Sequence, residues 1–212
     1  MILMGGVRPK ITAGKGGPLI VAAALALFAA GCRHEPPLDT KPLDNAGFSY
    51  SAIQELKSLN VSAAEIGDVA AARQGGLPEN GCIELLRLYH QRGQVFDAGA
   101  TVANFLQAGM LEDDVLKLAA LGQLGLGSGE LQAMRLAGLS DEIVLEVARR
   151  RAGGKTVLSG ASLAGMRNTG LRNSTLLELV RRGVPDSQAP AIVALRRHRG
   201  TDADILRRFA GS

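Results

Sequence analysis

Apolar and polar positions follow a helical period along most of the chain. Segments such as IELLRLYHQRG, DVLKLAALGQLG, DEIVLEVARR and STLLELVRRG place apolar residues at positions i, i+3, i+4 and i+7, which is the pattern of an amphipathic helix. No stretch of comparable length alternates with the two-residue period of a half-buried strand. The pattern from Phe48 onward therefore predicts an all-α fold.

Turn residues divide this helical pattern at regular intervals. Glycine, and less often asparagine, ends a helix by adopting the left-handed conformation. The intervals of 13 to 18 residues between breaks predict helices of about ten to twelve residues, which are marginal in isolation and must stack on neighbours. The predicted breaks are Asn60, Gly75, Gly93, Gly109, Gly125, Gly138, Gly153, Gly170, Gly183 and Gly200.

Related strings follow several of these breaks, for example NVSAAEIGDV and GLSDEIVLEV. Ser62 and Glu65 have the spacing of a capping box, and Ser140 and Thr201 are candidate N-caps. Two helices and two turns make about 32 residues, close to the length of the hairpin repeats that build helical solenoids. The sequence thus predicts an α-solenoid of stacked short hairpins, with chance similarity in a chain rich in Ala, Leu and Gly as the alternative.

One segment, ELLRLYHQRGQVFDAGATVANFLQAGM at residues 84–110, resembles a tetratricopeptide-type helical hairpin. The Trp and the closing Pro of the tetratricopeptide pattern are missing, and the resemblance covers only this segment. It implies a domain that binds protein or peptide over an extended surface. The matching positions are Leu85, Leu88 and Tyr89 on the first helix, Gly93 at the turn, and Ala98, Val102 and Phe105 on the second helix.

The N-terminal region has the pattern of an export signal. Its first 18 residues contain Arg8, Lys10 and Lys15 and no acidic residue, and the uncharged segment Leu19–Ala30 follows. A bilayer-spanning helix needs about 20 apolar residues, whereas a basic segment followed by about 7 to 15 apolar residues is typical of a secretory signal. The segment is therefore too short to span a membrane and predicts export.

Ala29-Ala30-Gly31-Cys32 resembles the lipobox of bacterial lipoproteins. The resemblance implies that signal peptidase cuts before Cys32, whose thiol carries a diacylglycerol and whose new amino group is acylated, for example with palmitate. Several acyl chains hold a protein to a membrane effectively permanently. Arg33, rather than Asp, follows the cysteine, which favours the outer membrane facing the periplasm over the inner membrane. A plain secretory signal cleaved nearby is the alternative.

These segments define the expected domain organisation. RHEPPLDTKPLDNAG, which begins at Arg33, is rich in proline and poor in apolar residues, so it predicts an extended tether. The expected domains are a removed signal peptide at 1–31, a lipidated cysteine and tether at 32–47, and an all-α helical-repeat domain at 48–212.

Few residues suggest metal or redox chemistry. Cys82 is the only thiol besides Cys32, and its place in an apolar helical pattern favours a small buried side chain over a reactive nucleophile. His34, His90 and His198 lack the spacing of a metal site. We therefore predict no metal and no cofactor other than the covalent lipid.

Motifs for nucleotide binding and catalysis are also weak. GGKT at residues 153–156 looks like the end of a phosphate-binding loop, but the preceding segment is helical and Arg149 stands where the motif needs glycine. GQLGLGSGE at 122–130 is better explained as a connector between hairpins. The carboxylates in LEDD (111–114) and SDE (140–142) fall where helices begin, and the helix dipole favours acids there. We predict no catalytic residue, with an envelope-polymer hydrolase built from Glu84, Asp97, Asp113, Asp114 or Glu142 as the alternative.

Charge is distributed unequally along the chain. Residues 32–140 contain 8 basic and 13 acidic residues, a net charge of −5, whereas residues 141–212 contain 13 basic and 7 acidic residues, a net charge of +6. Arginines near successive helix C-termini complement the helix dipoles, and they would also form an edge for an anionic lipid, polymer or protein. The candidate contact residues are Arg149, Arg150, Arg151, Arg181, Arg182, Arg196, Arg197, Arg199, Arg207 and Arg208.

The sequence therefore predicts a lipid-anchored envelope protein whose helical-repeat domain binds another envelope protein. Nucleic acid is not an expected partner, because export argues against access and only six aromatic side chains follow Cys32. The alternatives are the hydrolase and a surface module that binds anionic lipid or polymer through the arginine-rich half.

Overall fold

The computed structural model describes residues 38–125 and 127–209. In these ranges the chain forms twelve α-helices and one 3₁₀ turn and contains no strand, so the all-α prediction is confirmed. The helices are α1 (Lys41–Asn45), α2 (Tyr50–Ser58), α3 (Ala63–Gln74), α4 (Glu79–Gln91), α5 (Gly99–Gln107), α6 (Glu112–Ala120), α7 (Ser128–Leu136), α8 (Asp141–Ala152), α9 (Gly160–Asn168), α10 (Asn173–Arg181), α11 (Ala189–Arg197) and α12 (Asp202–Phe209), and the 3₁₀ turn is Asp186–Gln188.

The helices form two layers. The odd-numbered helices stack on one another in the A layer, since α3 packs against α1 and α5, and α9 packs against α7 and α11. The even-numbered helices stack in the same way in the B layer, from α2 to α12. Each A helix from α3 onward also packs against the B helix that follows it. The repeating unit is therefore an A–B hairpin, and the stack of hairpins is the predicted solenoid.

The A–B turns set the repeat length. A left-handed residue stands in each of them, and successive left-handed residues are 29, 33, 29, 32 and 29 positions apart. Glycine fills all of these positions but the last, because an L side chain is strained there. The left-handed residues of the A–B turns are Gly47, Gly76, Gly109, Gly138, Gly170 and Arg199.

Most of the predicted breaks coincide with left-handed residues. Asn60, Gly93 and Gly183, in the connectors from B to A helices, have positive φ as expected, as do the A–B turn glycines Gly109, Gly138 and Gly170. The remaining four predicted breaks lie one to three positions from the left-handed residue that is observed. Gly76 replaces Gly75, Gly122 replaces Gly125, Gly154 replaces Gly153 and Arg199 replaces Gly200.

A buried apolar residue follows the left-handed residue in most A–B turns. The N–H of Leu77 donates to the carbonyl of Ala72 over 3.1 Å, and that of Met110 donates to Phe105 over 3.0 Å. This is the Schellman geometry, in which the residue after the turn folds back onto the helix it leaves. It inserts one side chain per repeat into the core between the layers.

Glycine also permits close approach between A helices. A Cβ atom at Gly75 would collide with Ala103 of α5, and one at Gly99 would collide with the backbone of Asp68 in α3. The glycine at 75, which the sequence assigned to the turn, therefore serves packing, and its neighbour Gly76 makes the turn.

The folded unit begins earlier than the sequence indicated. Residues 38–47 were expected in the tether, but α1 packs against α3 and the side chain of Leu43 is fully buried. Leu38 and Ala46 also pack against the core, so this proline-containing segment is part of the domain. The compact unit starts at Leu38 rather than at Phe48.

The segment at 84–110 spans two repeats. Its first helix, α4, packs against α2, α3 and α6, whereas its second, α5, packs against α3, α6 and α7. The predicted hairpin of α4 and α5 therefore combines the B helix of one repeat with the A helix of the next. The hairpin that repeats is an A helix and the B helix that follows it, such as α3 with α4.

Candidate functional site

Half-buried arginines hydrogen-bond to the A–B turns. In four repeats an arginine lies three positions before the left-handed residue, and its guanidinium donates to the carbonyl of the residue after that turn residue. The pairs are Arg73 with Leu77 (3.3 Å), Arg135 with Leu139 (3.4 Å), Arg167 with Leu171 (3.0 Å) and Arg196 with Gly200 (3.1 Å).

Two of these arginines also reach the preceding repeat. Arg135 donates to the carbonyl of Gly109 over 2.8 Å, and Arg196 donates to that of Gly170 over 3.0 Å. Each also forms an ion pair with an acid at the start of the next B helix, Asp141 at 2.5 Å for Arg135 and Asp202 at 3.2 Å for Arg196. The arginine therefore joins two turns.

Acidic residues at the start of B helices complete this connection. Glu79 accepts the N–H of Ser49 over 2.8 Å, and Asp202 accepts that of Arg172 over 3.2 Å, in each case across one repeat. Hydrogen bonds from the Ser49 hydroxyl and N–H hold the pKa of Glu79 below its ordinary value. These acids thus serve the stacking of the repeats.

The predicted arginine edge is divided between two edges of the solenoid. Consecutive helices run in opposite directions, so the C-termini of B helices and of A helices lie at opposite ends of the hairpins. The arginines in or just after the last turn of a B helix are Arg149, Arg150, Arg151, Arg181, Arg182, Arg207 and Arg208. Those in or just after the last turn of an A helix, at the last A–B turn, are Arg196, Arg197 and Arg199.

Several of the candidate arginines have partners within the chain. Besides Arg196, Arg150 donates to the carbonyl of Arg181 over 2.8 Å. Arg208 lies 5.6 Å from the ring centroid of Phe209. The ion pairs are Arg149 with Glu146 (2.5 Å), Arg151 with Glu130 (2.5 Å), Arg182 with Glu178 (2.5 Å) and Arg207 with Asp204 (3.6 Å).

Three candidates remain available to another molecule. The side chains of Arg181, Arg197 and Arg199 are exposed, and none has a hydrogen bond or ion pair to residues 38–125 or 127–209. Arg181 lies on the B layer, and the other two lie at the last A–B turn.

The outer face of the A layer is almost uncharged. It consists of three rows, each made of the residues at one equivalent position in successive repeats. These positions lie nine, five and two residues before the left-handed residue of the A–B turn, and they are exposed or half-exposed. Among the described residues, Arg197 is the one charged member of this face. Two rows hold small or short side chains, and the third holds mostly amides. The rows are Gly67, Ala100, Gly129, Ala161 and Pro190; Ala71, Asn104, Ala133, Gly165 and Ala194; and Gln74, Gln107, Leu136, Asn168 and Arg197.

The outer face of the B layer differs sharply, because charged side chains occupy it. Its three rows stand four, eight and eleven positions after the turn residue. They are Ser51, Asn80, Asp113, Glu142, Ser174 and Ala203; Glu55, Glu84, Lys117, Glu146, Glu178 and Arg207; and Ser58, Arg87, Ala120, Arg149 and Arg181. The sequence analysis did not predict the difference in charge between these two faces. Equivalent positions can be aligned only when residues are counted from the observed left-handed turn residues, several of which differ from the predicted breaks.

A buried carboxylate organises the first repeats. Glu65, only 2% exposed, forms the predicted capping box by accepting the Ser62 N–H at 2.9 Å and hydroxyl at 2.8 Å. Its second oxygen lies 2.8 Å from His90 Nε2 and accepts the Phe96 N–H at 2.9 Å. Burial raises the pKa of Glu65, but these hydrogen bonds outweigh it and leave the pKa below its ordinary value. His90 is thus a partner of this carboxylate at the boundary of the core.

Cys82 is buried in α4, as the apolar helical pattern around it predicted. Its thiol is 1% exposed, and burial raises its pKa to about 12. A thiol that is neither ionised nor accessible is a poor nucleophile.

The carboxylates considered for catalysis do not gather in one place. Glu84 and Asp113 line a groove of about 350 Å³ between α4 and α6, whereas Asp97 lines another cavity, of about 640 Å³, beside the connector that follows α4. Asp114 pairs with Lys117 at 2.6 Å, and Glu142 lines neither cavity. Within residues 38–125 and 127–209, no group of three or more His, Cys, Asp or Glu side chains could hold a metal ion.

The glycine-rich motifs lie wholly or partly in connectors. Gly153 to Thr156 lie between α8 and α9, so a helix rather than a strand precedes them. In the motif at 122–130, Gly122 and Gly125 lie between α6 and α7, Gly127 has positive φ, and Ser128 to Glu130 form the first turn of α7. The prediction of a connector there therefore holds only for the part that precedes α7.

The predicted anchor lies outside the described residues, as do Ala29, Ala30, Gly31, Cys32 and His34. Among the helices of the described part of the chain, none combines the length and hydropathy that crossing a membrane requires. No protein-family model matches this sequence, and a search of the curated proteins finds no match.

Proposed function

We propose that this chain is a lipid-anchored protein of a bacterial cell envelope and that its helical solenoid is a scaffold that binds another envelope protein. Anchorage is through acyl chains on Cys32, in the outer membrane facing the periplasm where the envelope has two membranes. Catalysis and a dissociable cofactor are not part of this proposal.

The anchor is supported by the order of features at the N-terminus. A basic segment, a short apolar segment and Ala-Gly-Cys follow one another in the arrangement of a lipoprotein signal. The folded unit starts at Leu38, so few residues separate it from Cys32. The solenoid would then lie within about 20 Å of the membrane surface, since an extended chain spans at most about 3.5 Å per residue.

The observation that carries the scaffold function is the outer face of the A layer, which continues through α3, α5, α7, α9 and α11 with Arg197 as its one charged member among the described residues. A solenoid presents such faces as extended binding surfaces. Small side chains let another backbone approach closely, and an amide offers both a donor and an acceptor. These properties suit an extended peptide segment of a partner protein, bound through its main chain.

The spacing of the amides is consistent with this ligand. Gln74, Gln107 and Asn168 occupy equivalent positions in their repeats, with the 75% exposed Leu136 between the last two. Stacked helices lie about 8 to 10 Å apart, and an extended strand rises about 3.3 Å per residue. One amide per repeat would therefore meet about every third residue of the bound segment.

Intact mass and membrane partitioning of the native chain and of Cys32→Ala test the anchor. We expect a species that starts at Cys32, carries acyl mass and partitions into membranes, and we expect the variant to lose all three properties. A native chain that remains unmodified and soluble would overturn the anchor.

Site-specific photo-crosslinking in cells tests the surface. A benzoylphenylalanine at Gln107 or Asn168 should give one discrete adduct with another protein, and one at Val95 or Lys155, which are exposed in connectors from B to A helices, should give none. The adduct should disappear with Ala133→Arg, which places charge and bulk at the centre of the face. Equal crosslinking from the connectors, or an adduct that survives Ala133→Arg, would contradict the assignment.

A further inference from the structure

A groove on the outer face of the B layer has an apolar floor and an acidic rim. It lies between α4 and α6, encloses about 350 Å³ and is lined by Leu88, Leu116 and Ala120, with Glu84, Asp113 and Lys117 around it. Such a groove fits a side chain that has an aliphatic stem and a cationic end, which describes arginine and lysine.

The cations near the groove are already paired. Lys117 donates to Asp114 over 2.6 Å, and Arg87 forms an ion pair with Glu55 at 2.5 Å and lies 3.9 Å from Glu84. Asp113 is exposed and has no hydrogen bond or ion pair from its side chain to the rest of the described chain. The rim is therefore left with carboxylate charge that a further cation can neutralise.

Suitable cations stand on the same face at the other end of the B layer. Arg181 of α10 occupies the same row as Arg87 and Ala120, so its exposed side chain leaves the same surface as the groove. Arg207 of α12 occupies the row of Glu84 and forms an ion pair with Asp204 at 3.6 Å, but its side chain is 80% exposed and can be contacted by a further carboxylate. One molecule thus carries both the groove and the side chains that fit it.

The position of α8 makes this arrangement self-complementary. In the B layer α8 lies midway between the pair α4 and α6 and the pair α10 and α12. A two-fold axis that runs parallel to the helices and passes beside α8 would place α4 and α6 of one copy opposite α12 and α10 of the other. The groove of each copy would then lie over the arginines of the second copy, and the contact would form twice. At the centre, Glu146 and Arg149 neutralise each other within the chain at 2.5 Å, so the acid of α8 that faces the second copy near the axis is the exposed Glu142.

We propose that two copies of this chain associate through the outer faces of their B layers, with Arg181 and Arg207 of each copy seated at the groove of the other. The net charge of −5 on residues 32–140 and +6 on residues 141–212 favours the same antiparallel order of the two stacks. The A layer stays free for a different partner, so this association does not depend on the function proposed above.

Charge reversal with rescue tests the dimer. Sedimentation velocity and light scattering on the full anchored chain in detergent micelles give the mass of the protein component. We expect a dimer for the native chain, and we expect Glu84→Lys with Asp113→Lys, and separately Arg181→Glu with Arg207→Glu, to weaken association by about tenfold or more. High salt should also weaken it, because the contact is electrostatic.

Mixing the two double variants is the decisive step. Each repels itself, but the lysines of one match the glutamates of the other while the native acids and arginines match at the second contact. An equimolar mixture should therefore form a heterodimer. Asp44→Lys with Asp97→Lys makes the same charge change away from this face and should remain dimeric.

Three results would overturn the proposal. They are a native chain that is monomeric at high concentration, a dimer unaffected by both double variants, and folded double variants that fail to associate when mixed. Circular dichroism on each variant shows whether it is folded.

Discussion

The guanidinium of Arg196 donates a hydrogen bond to the carbonyl oxygen of Gly170 over 3.0 Å and so joins two successive A–B turns. The same side chain donates to the carbonyls of Thr169 and Gly200 and pairs with Asp202. An arginine that the sequence offered as a contact for an anionic partner is thus part of the connection between repeats.

Removal of this connection should destabilise the solenoid. Arg196→Gln should lower the free energy of unfolding by about 1 to 3 kcal/mol, because it leaves turn carbonyls and Asp202 without their donor. Urea unfolding followed by circular dichroism measures the change. Arg197→Gln, at the adjacent exposed position, should change stability by less than about 0.5 kcal/mol. Equal effects of the two substitutions would show that the hydrogen bonds contribute little.

The buried carboxylate of Glu65 should make stability depend on pH. Its pKa in the folded chain lies below the ordinary value of 4.5, so the folded state binds fewer protons than the unfolded state between the two values. Its stabilisation is present above about pH 4.5 and is lost as pH falls through the folded pKa. Glu65→Gln should cost about 3 kcal/mol at neutral pH.

Urea unfolding between about pH 3 and 7 measures this dependence. The variant should lose less stability on acidification than the native chain, since its amide does not titrate. Glu55→Gln, at a half-exposed acid, is the control and should leave the slope nearly unchanged. Parallel pH profiles for the native chain and Glu65→Gln would exclude this role for Glu65.

Gly67 within α3 and Gly75 just after it should respond oppositely to alanine. Gly67 has no neighbouring atom within 4 Å of an added Cβ, so Gly67→Ala should stabilise the chain by about 0.5 to 1 kcal/mol through helix propensity. Gly75→Ala should destabilise it by about 1 to 3 kcal/mol, because its Cβ would collide with Ala103. Thermal unfolding compares the two, and a shift of the same sign would contradict the close approach of α3 and α5.

The last A–B turn should be improved by glycine. Arg199 has φ of 66°, a conformation that strains an L side chain, and the equivalent turns have glycine there. Arg199→Gly should stabilise the chain by about 0.5 to 1 kcal/mol. Arg197→Gly, within α11, should destabilise it by a similar amount through lost helix propensity. Thermal unfolding compares the two variants. A melting temperature that rises for Arg197→Gly but not for Arg199→Gly would contradict the strain at residue 199.

The thiol of Cys82 should react only when the chain unfolds. Its pKa of about 12 leaves almost no thiolate at neutral pH, and the side chain is buried. In the Cys32→Ala chain, Ellman's reagent should show no fast reaction until urea unfolds α4. Adding the exposed Ser58→Cys should introduce one fast-reacting thiol. Rapid labelling of Cys82 in the folded chain would exclude the buried environment.

Local signals predicted much of this fold. The capping box of Ser62 and Glu65 and the left-handed conformations of Asn60, Gly93 and Gly109 depend on the nearest neighbours in sequence, and all are confirmed. Where two glycines are adjacent or close, as at Gly75 and Gly76, sequence could not decide between them. The choice there depends on Ala103, which approaches only when α5 stacks on α3.

The candidate site was less accessible to sequence reasoning. Glu65 was recognised as a cap, but its contacts with His90 and Phe96 cross about one repeat and are not encoded in local spacing. The arginines could be counted from sequence, but their contacts could not. Arg151 and Arg181 have similar positions at the ends of B helices, yet the first pairs with Glu130 and the second is available.

The sequence by itself determined that the described chain is helical and that its short helices form stacked hairpins, because periodicity and turn glycines act over a few residues. It overestimated most helix lengths, since seven of the helices have nine residues rather than ten to twelve. Only the tertiary structure decided which hairpin repeats, which edge each arginine lies on and which face carries almost no charge. Those properties depend on packing between residues about thirty positions apart, where a shift of one residue in a turn rotates every following side chain to another face.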